Sequence, residues 1–265
     1  MSTTRAVVLA RGLGTRMREP DPAARLSEEQ RRAADAGSKM MIPVHGRPFL
    51  DYVLSSLADA GFSDVAVVVA PDHQEIGGHY AANPPGRVAL SLVVQPEPRG
   101  TADAVLAAER WTSGNPFVAI NADNLYPVPA LQALASLAGP GLLAFERGDL
   151  VQSGNIPKER VLAFALVEID EHGYLTRIVE KPTDLPAPPL VSMNCWRFDA
   201  RIFDACRDVP RSVRGELELP AAVALATRRG VRFRALPALG PVLDLSRRAD
   251  AADIERRLAG LAPQP

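Results

Sequence analysis

The sequence predicts an α/β fold: a doubly wound, three-layer α/β/α arrangement around a mixed, mostly parallel central sheet. Three observations carry that expectation. Strand-like and helix-like segments alternate through the first half of the chain, the order that yields a parallel sheet with helices on both faces. Runs such as Val65-Ala66-Val67-Val68-Val69 are continuously apolar, as strands buried on both faces are. The second half is richer in strand-like runs, which adds a smaller β-rich lobe to the main sheet.

The first strand is predicted over residues 5–10. Residues 26–36 combine charge with good helix formers, and Ser27-Glu28-Glu29-Gln30 reads as a capping-box start. A helix over 49–60 follows from the spacing of Phe49, Leu50, Val53, Leu54 and Leu57, with Gly61 as its stop. Strands are predicted at 65–70, 88–94 and 117–121, and helices at 101–110 and 128–138. Residues 161–170 and 174–180 form a strand pair around the turn Glu171-His172-Gly173. Beyond the Pro-rich connector 185–189 come a strand at 190–198, a helix at 217–229, a strand at 231–235 and an amphipathic helix at 249–261. The tail from Ala262 is expected to fray. No strong linker interrupts the chain, so residues 1–265 are expected to form one domain.

Composition excludes several classes of function. A net charge of −1 argues against a nucleic-acid or membrane binder, both of which usually carry basic excess. Two cysteines, Cys195 and Cys206, make neither a disulfide framework nor a metal cluster. With no signal-peptide pattern and no apolar run near the ~20 residues of a membrane span, a cytoplasmic location is expected.

The segment Ala10-Arg11-Gly12-Leu13-Gly14-Thr15-Arg16-Met17-Arg18 follows the first strand. Two near-adjacent glycines before a helix start expose backbone N–H groups to a ligand, which suits phosphate. No Gly-Lys-Ser/Thr string follows, so this is not a P-loop, and Met17 stands where a dinucleotide fingerprint needs its third glycine. Arg18 reads as a solvated surface charge. At the carboxyl ends of later strands stand Gln95, whose amide can read the edge of a base, and Asp123, a natural Mg²⁺ ligand. Gly100-Thr101 opens a helix, Glu180-Lys181-Pro182 brings an ammonium to the same rim, and Asp244 offers a second carboxylate.

In order along the chain stand Gly12-Leu13-Gly14-Thr15-Arg16, Lys39-Met40-Met41-Ile42-Pro43-Val44 with Arg47-Pro48-Phe49-Leu50, Gly100-Thr101-Ala102-Asp103-Ala104-Val105 and Ala122-Asp123-Asn124-Leu125-Tyr126. Glu180-Lys181-Pro182, Ser192-Met193, Arg214-Gly215-Glu216-Leu217-Glu218-Leu219 and Leu243-Asp244 complete the series. The ordered set, spanning residues 5 to about 250, resembles the sugar-1-phosphate nucleotidylyltransferases, the group of glucose-1-phosphate adenylyl-, thymidylyl- and uridylyl-transferases. That resemblance implies a Rossmann-like core with a nucleotide-binding half over about 1–125 and a sugar-phosphate-binding half over about 126–250. No hexapeptide-like repeat is present, so a C-terminal β-helix is not expected.

The resemblance also implies roles. Arg16, Lys39 and Asp123 would be catalytic, with Arg16 on the triphosphate and Lys39 near the α-phosphorus. Ala10, Arg11, Gly12, Gly14, Thr15, Gln95, Gly100 and Thr101 would meet the nucleotide. Glu180, Lys181, Ser192, Asn194 and Glu216 would meet the sugar phosphate, and Asp123 with Asp244 would bind Mg²⁺. The substrates implied are a nucleoside triphosphate and a sugar or sugar-like cyclitol 1-phosphate, and a homodimer stays open. Gly-Thr-Ala-Asp-Ala-Val leans toward ATP or GTP, whereas Gly-Glu-Leu-Glu-Leu keeps dTTP and UTP in view.

Four departures bear on the substrate. Arg11 stands where Gly or Ala is usual, residues 20–37 form an extra segment readable as a lid or an oligomer contact, Asn194 replaces a glycine, and Val242 replaces a tryptophan. Together they point away from plain glucose 1-phosphate. A catalytically inactive regulatory subunit and a glycosyltransferase are the competing classes. The second wants an Asp-x-Asp motif, and Asn121-Ala122-Asp123 has one acid.

Overall fold

The computed structural model describes residues 2–162, 164–179 and 190–265. The strands are β1 (Arg5–Leu9), β2 (Pro43–Val44), β3 (Arg47–Pro48), β4 (Asp64–Val69), β5 (Ala89–Val94), β6 (Phe117–Asn121) and β7 (Asn124–Leu125). They continue with β8 (Gly141–Glu146), β9 (Ala165–Ile169), β10 (Leu175–Val179), β11 (Leu190–Phe198), β12 (Arg234–Ala238) and β13 (Leu243–Asp244). Among the helices are α1 (Thr15–Arg18), α2 (Glu28–Ala36), α3 (Phe49–Asp59), α4 (Gln74–Ala82), α5 (Thr101–Ala107) and α6 (Glu109–Thr112). The remainder are α7 (Val128–Ala135), α8 (Arg147–Ser153), α9 (Lys158–Val161), α10 (Arg201–Asp208), α11 (Leu219–Arg228) and α12 (Arg248–Arg257).

Among the described residues, nine strands form one mixed sheet. Its spine runs β10-β9-β11-β6-β1-β4-β5, with β8 on β11 and β12 on β8. The pairs β5–β4, β4–β1 and β1–β6 are parallel, and β11 turns the sheet by running antiparallel to β6, β8 and β9. Side chains along β1 alternate between two cores. Ala6 and Val8 join α3, α7 and α12 on one face, while Val7 and Leu9 join α5, α10 and α11 on the other. Chain order reverses between β1 and β6, and such a switch point leaves a crevice beyond the strands' carboxyl ends.

The predicted capping box is present: Gln30 N–H donates to Ser27 Oγ at 3.2 Å, and Ser27 N–H donates to Gln30 Oε1 at 3.0 Å. Other expectations are corrected. The helix expected at 101–110 divides into α5 and α6 around Ala108. The strand expected at 231–235 begins at Arg234, because Gly230 adopts φ 88° and Val231 N–H turns back to the Ala226 carbonyl at 3.0 Å. The tail does not fray: Gln264 N–H donates to Ser55 Oγ at 3.0 Å, and the Pro265 carbonyl accepts from Gly86 at 2.8 Å. Among the described residues no helix is long and apolar enough to cross a membrane.

Candidate active site

The loop after β1 owes its shape to Gly14. This residue sits at φ 62°, and a Cβ there would lie 2.5 Å from the Gly37 carbonyl oxygen, so the loop can pack on the end of α2 only with glycine. The helix it opens is one turn, Thr15–Arg18, so the dipole expected from the sequence is slight. Met17 is buried and anchors the turn, which leaves Arg16 exposed and off the walls of the cleft. Arg18 is exposed, as its surface reading expects. It crosses Gly37, donates to the Ala36 carbonyl at 3.1 Å, and lines a cavity of about 370 Å³ shared with Arg11 and Gly12. Arg11 is held by the Gln95 and Pro96 carbonyls at 3.1 and 3.3 Å. It stands between that cavity and a second cleft of about 250 Å³.

Gln95 ends β5 on the floor of the 250 Å³ cleft and is 2% exposed. Its amide nitrogen donates to Asp103 Oδ2 at 2.7 Å and to the Gly100 carbonyl at 3.2 Å. Arg99 secures the other oxygen of Asp103 at 3.0 Å. Gly100 has φ 117°, and a Cβ there would lie 2.5 Å from the Leu217 carbonyl oxygen. The Thr101 hydroxyl accepts from Leu219 N–H at 2.9 Å, tying this corner to the start of α11. Glu216, expected on the sugar phosphate, lines this cleft beside Gly100.

Lys39 and Asp123 meet at the β1–β6 switch point as an ion pair, Nζ to Oδ2, with side chains 14% and 21% exposed. Asp244 joins them because β13 pairs with β7, setting Asp244 opposite Asn124, and Leu245 N–H donates to the Asp123 carbonyl at 2.9 Å. Asp244 accepts from Ser246 Oγ at 2.6 Å and from Arg160 Nη1 at 3.3 Å. Arg160 is itself gripped by both oxygens of Asp250 at 2.8 and 3.1 Å. Burial, then the neighbouring Asp123 charge, push the Asp244 carboxyl up to about 6. The Asp123 carboxylate acting on the buried Asp244 carboxyl gives a donor pair that fits a hard divalent cation, which takes one or two carboxylates and completes its shell with other oxygens and water.

On the lobe side, β11 carries an irregularity between Ser192 and Trp196, with Asn194 at φ 57°. Ser192 and Asn194 line a pocket of about 70 Å³ that shares Asn121 with the larger cleft. Glu180 and Lys181 lie outside the described residues. Ala10 and Thr15 belong to the first loop but do not line the cleft, whereas Gly12 does. Sequence reasoning missed two supports. Arg99 and Asp103 stand in the i,i+4 relation that marks a helical pair, so that signal was readable. Arg160 lies 84 and 90 positions from its partners, and nothing local announces it.

The sequence profile of the nucleotidyl transferase family matches residues 5–240. The chain is 29% identical over 257 residues to a UTP–glucose-1-phosphate uridylyltransferase, AglF, of Haloferax volcanii, covering 96% of each. It is 28% identical over 255 residues to a glucose-1-phosphate thymidylyltransferase of an Actinoplanes species, covering 93% of this chain and 75% of that one. With the low-salt glycan biosynthesis nucleotidyltransferase Agl11 of Haloferax volcanii it shares 26% identity over 221 residues, and it spans 56% of that protein. In fold it is similar to a UDP-glucose pyrophosphorylase solved with UDP-glucose, with a TM-score of 0.74 at 19% identity, covering 96% of this chain and 98% of that one. A family match over nearly the whole chain, on a switch-point cleft carrying Lys39 and Asp123, establishes that the chain belongs to the nucleotidyl transferase family.

Proposed function

We propose that the chain transfers a nucleotidyl group from a nucleoside triphosphate to a sugar 1-phosphate and releases pyrophosphate. The observation that carries this reading is the meeting of Lys39, Asp123 and Asp244 between a base-sized cleft and a small polar lobe pocket. An oxygen of the sugar phosphate forms a bond to the α-phosphorus, and the bond from that phosphorus to the bridging oxygen breaks, so the electron pair leaves with pyrophosphate. A phosphate monoester has its second pKa near ~6, so the nucleophile arrives already ionised and no general base is needed. The barrier is repulsion between anions, and the task is positioning with charge neutralisation. Lys39 supplies fixed positive charge beside the reacting phosphates, and the N–H groups that Arg11 and Arg18 keep free of backbone carbonyls serve the outer phosphates. Asp123 and Asp244 would hold Mg²⁺, which when bound neutralises and orients the triphosphate.

Gln95 bears on the base. The Asp103 carboxylate only accepts, so the Gln95 NH₂ group faces it. The Gln95 oxygen, which no described residue engages, is left toward the cleft as an acceptor. Uracil and thymine can meet it with the ring N–H, guanine with its N1–H and adenine with its exocyclic amine, so this acceptor alone does not separate UTP or dTTP from the ATP or GTP expected from the sequence. The names of the relatives favour UTP or dTTP. Pyrophosphate release measured with UTP, dTTP, GTP and ATP against a common sugar 1-phosphate tests it. Turnover with UTP or dTTP should exceed that with ATP or GTP by about tenfold or more, the scale on which modest differences in pocket contacts discriminate between substrates. ATP as the best donor would overturn the base assignment. Nucleotide binding without pyrophosphate release would point instead to an inactive subunit.

A further inference from the structure

Arg248 opens α12 and is buried, at 8% exposure. It lines neither of the two large cavities, yet its guanidinium is turned onto the loop that follows β1. Nε donates to the Met17 carbonyl at 2.8 Å and Nη2 to the Arg18 carbonyl at 3.1 Å, across 231 and 230 positions of the chain. Nη2 also pairs with Asp35 Oδ1 on α2.

These contacts answer a need of α1. A single turn of four residues cannot hold itself, because the carbonyls of a last turn have no partner inside the helix. Arg248 supplies donors to two of them and sets a positive charge at the negative end of the turn. A planar guanidinium meets two carbonyls and a carboxylate in one fixed geometry, which an ammonium does not. The turn so held matters for binding. Arg18 lines the 370 Å³ cavity together with Arg11 and Gly12.

The same turn of α12 reaches the opposite side of the site. Asp250 lies two residues beyond Arg248, and positions i and i+2 of a helix do not share a face. Its buried carboxylate accepts from Ser246 N–H at 2.9 Å and Arg247 N–H at 2.7 Å, and from Arg160 at 2.8 and 3.1 Å. Ser246 Oγ and Arg160 Nη1 donate in turn to Asp244 at 2.6 and 3.3 Å. One helical turn therefore grips the phosphate loop through Arg248 and the Asp244 carboxylate through Asp250.

We infer that the first turn of α12 is a strut that sets the phosphate loop against Asp244, with Arg248 as the positioning residue for the outer phosphates of the nucleotide. Arg248 acts through the backbone of Met17 and Arg18. The inference rests on the nucleotidyl-transfer reading above and adds how its phosphate loop is held.

Calorimetric titration with inorganic pyrophosphate in metal-free buffer, and separately with MgCl₂, tests it on wild type, Arg248→Met and Arg248→Lys. Pyrophosphate affinity should fall about tenfold in Arg248→Met, the scale of losing hydrogen bonds from a charged group. Arg248→Lys should lose less, since it keeps the charge without the fork. Mg²⁺ affinity should be unmoved in both, because the Asp250 arm remains. In turnover, KM for the nucleotide should rise while KM for the sugar 1-phosphate holds, a split that general loosening of the fold would not produce. Should Arg248→Met fail to fold, the lysine variant decides alone. Pyrophosphate affinity unchanged in a folded variant, or equal losses of pyrophosphate and Mg²⁺ affinity, would overturn the inference and leave nucleotidyl transfer standing. Wild type that binds pyrophosphate but releases none from any nucleotide would overturn the transfer reading, and the binding comparison would still decide on Arg248. Wild type that binds no pyrophosphate would overturn both.

Discussion

Single residues decide the chemistry at the switch point. Asp123→Asn and Lys39→Ala should each lower turnover by about 10²–10³, the usual loss when one electrostatic contact to a transition state is removed. Near-normal rates with an unchanged melting temperature would exclude these roles. Asp244 gives a pH signature. Its carboxyl is raised to about 6, so the fold favours the protonated acid. The stability this group contributes is full below its ordinary range near 3.8 and is lost as pH rises through about 6. A cation that offsets the buried charge should thus raise the melting temperature more at pH 8 than at pH 5. Melts with and without MgCl₂ at both pH values check this, and equal increments would contradict it. Asp123, in the turn between β6 and β7, and Asp244, at the end of β13, stand in ordered motifs of the sequence, and the pairing of β13 with β7 is what brings them together. Asp103 and Arg160 were not assigned, because they act by holding Gln95 and Asp244 and leave no ligand-like mark of their own. Arg16 and Arg18 both stay exposed because Met17 takes the buried side of a single helical turn.

At the scale of elements, local chemistry read well where it was self-contained. The Ser27–Gln30 box and the apolar stripe of α3 needed no distant partner, and both formed as expected. Ser27→Ala should therefore destabilise the protein by about 1 kcal/mol, read as a lower urea midpoint at constant slope. No shift would mean that α2 is held by its docking alone, through Gln30 on Glu255 and Arg248 on Asp35. That docking makes the extra segment 20–37 a wall of the 370 Å³ cavity. Strand β8 escaped the sequence reading. Gly141-Leu142-Leu143-Ala144-Phe145 is a short apolar run, and such runs do not separate strand from buried helix by periodicity. Its long-range pairing with β11 and β12 decides the matter. Arg160, which ties α9 to β13 and α12, is 12% exposed at its side chain. Arg160→Met should cost about 3 kcal/mol by stranding two buried carboxylates, and it should also weaken Mg²⁺ binding measured by calorimetry. A stable variant with unchanged Mg²⁺ affinity would remove Arg160 from any positioning role.

For the whole molecule, the alternation of segments made the parallel half predictable, because each βαβ step has one favoured hand. The lobe was harder to read. Its strands join through antiparallel and parallel pairs between distant parts of the chain, and no local pattern encodes those partners. The resulting sheet is continuous from the parallel half to the lobe through β6 and β11. Denaturation followed by tryptophan fluorescence and far-UV circular dichroism should accordingly give one coincident transition. Two separated transitions would show that the halves fold independently.

The left-handed backbone at Asn194 also bears on how this protein could change over generations. A very short alphabet of residues tolerates that conformation, chiefly glycine, asparagine and aspartate, and each member alters what the adjoining cavity offers. Drift at this one codon can therefore change the polar groups lining that cavity while the surrounding strand keeps its register.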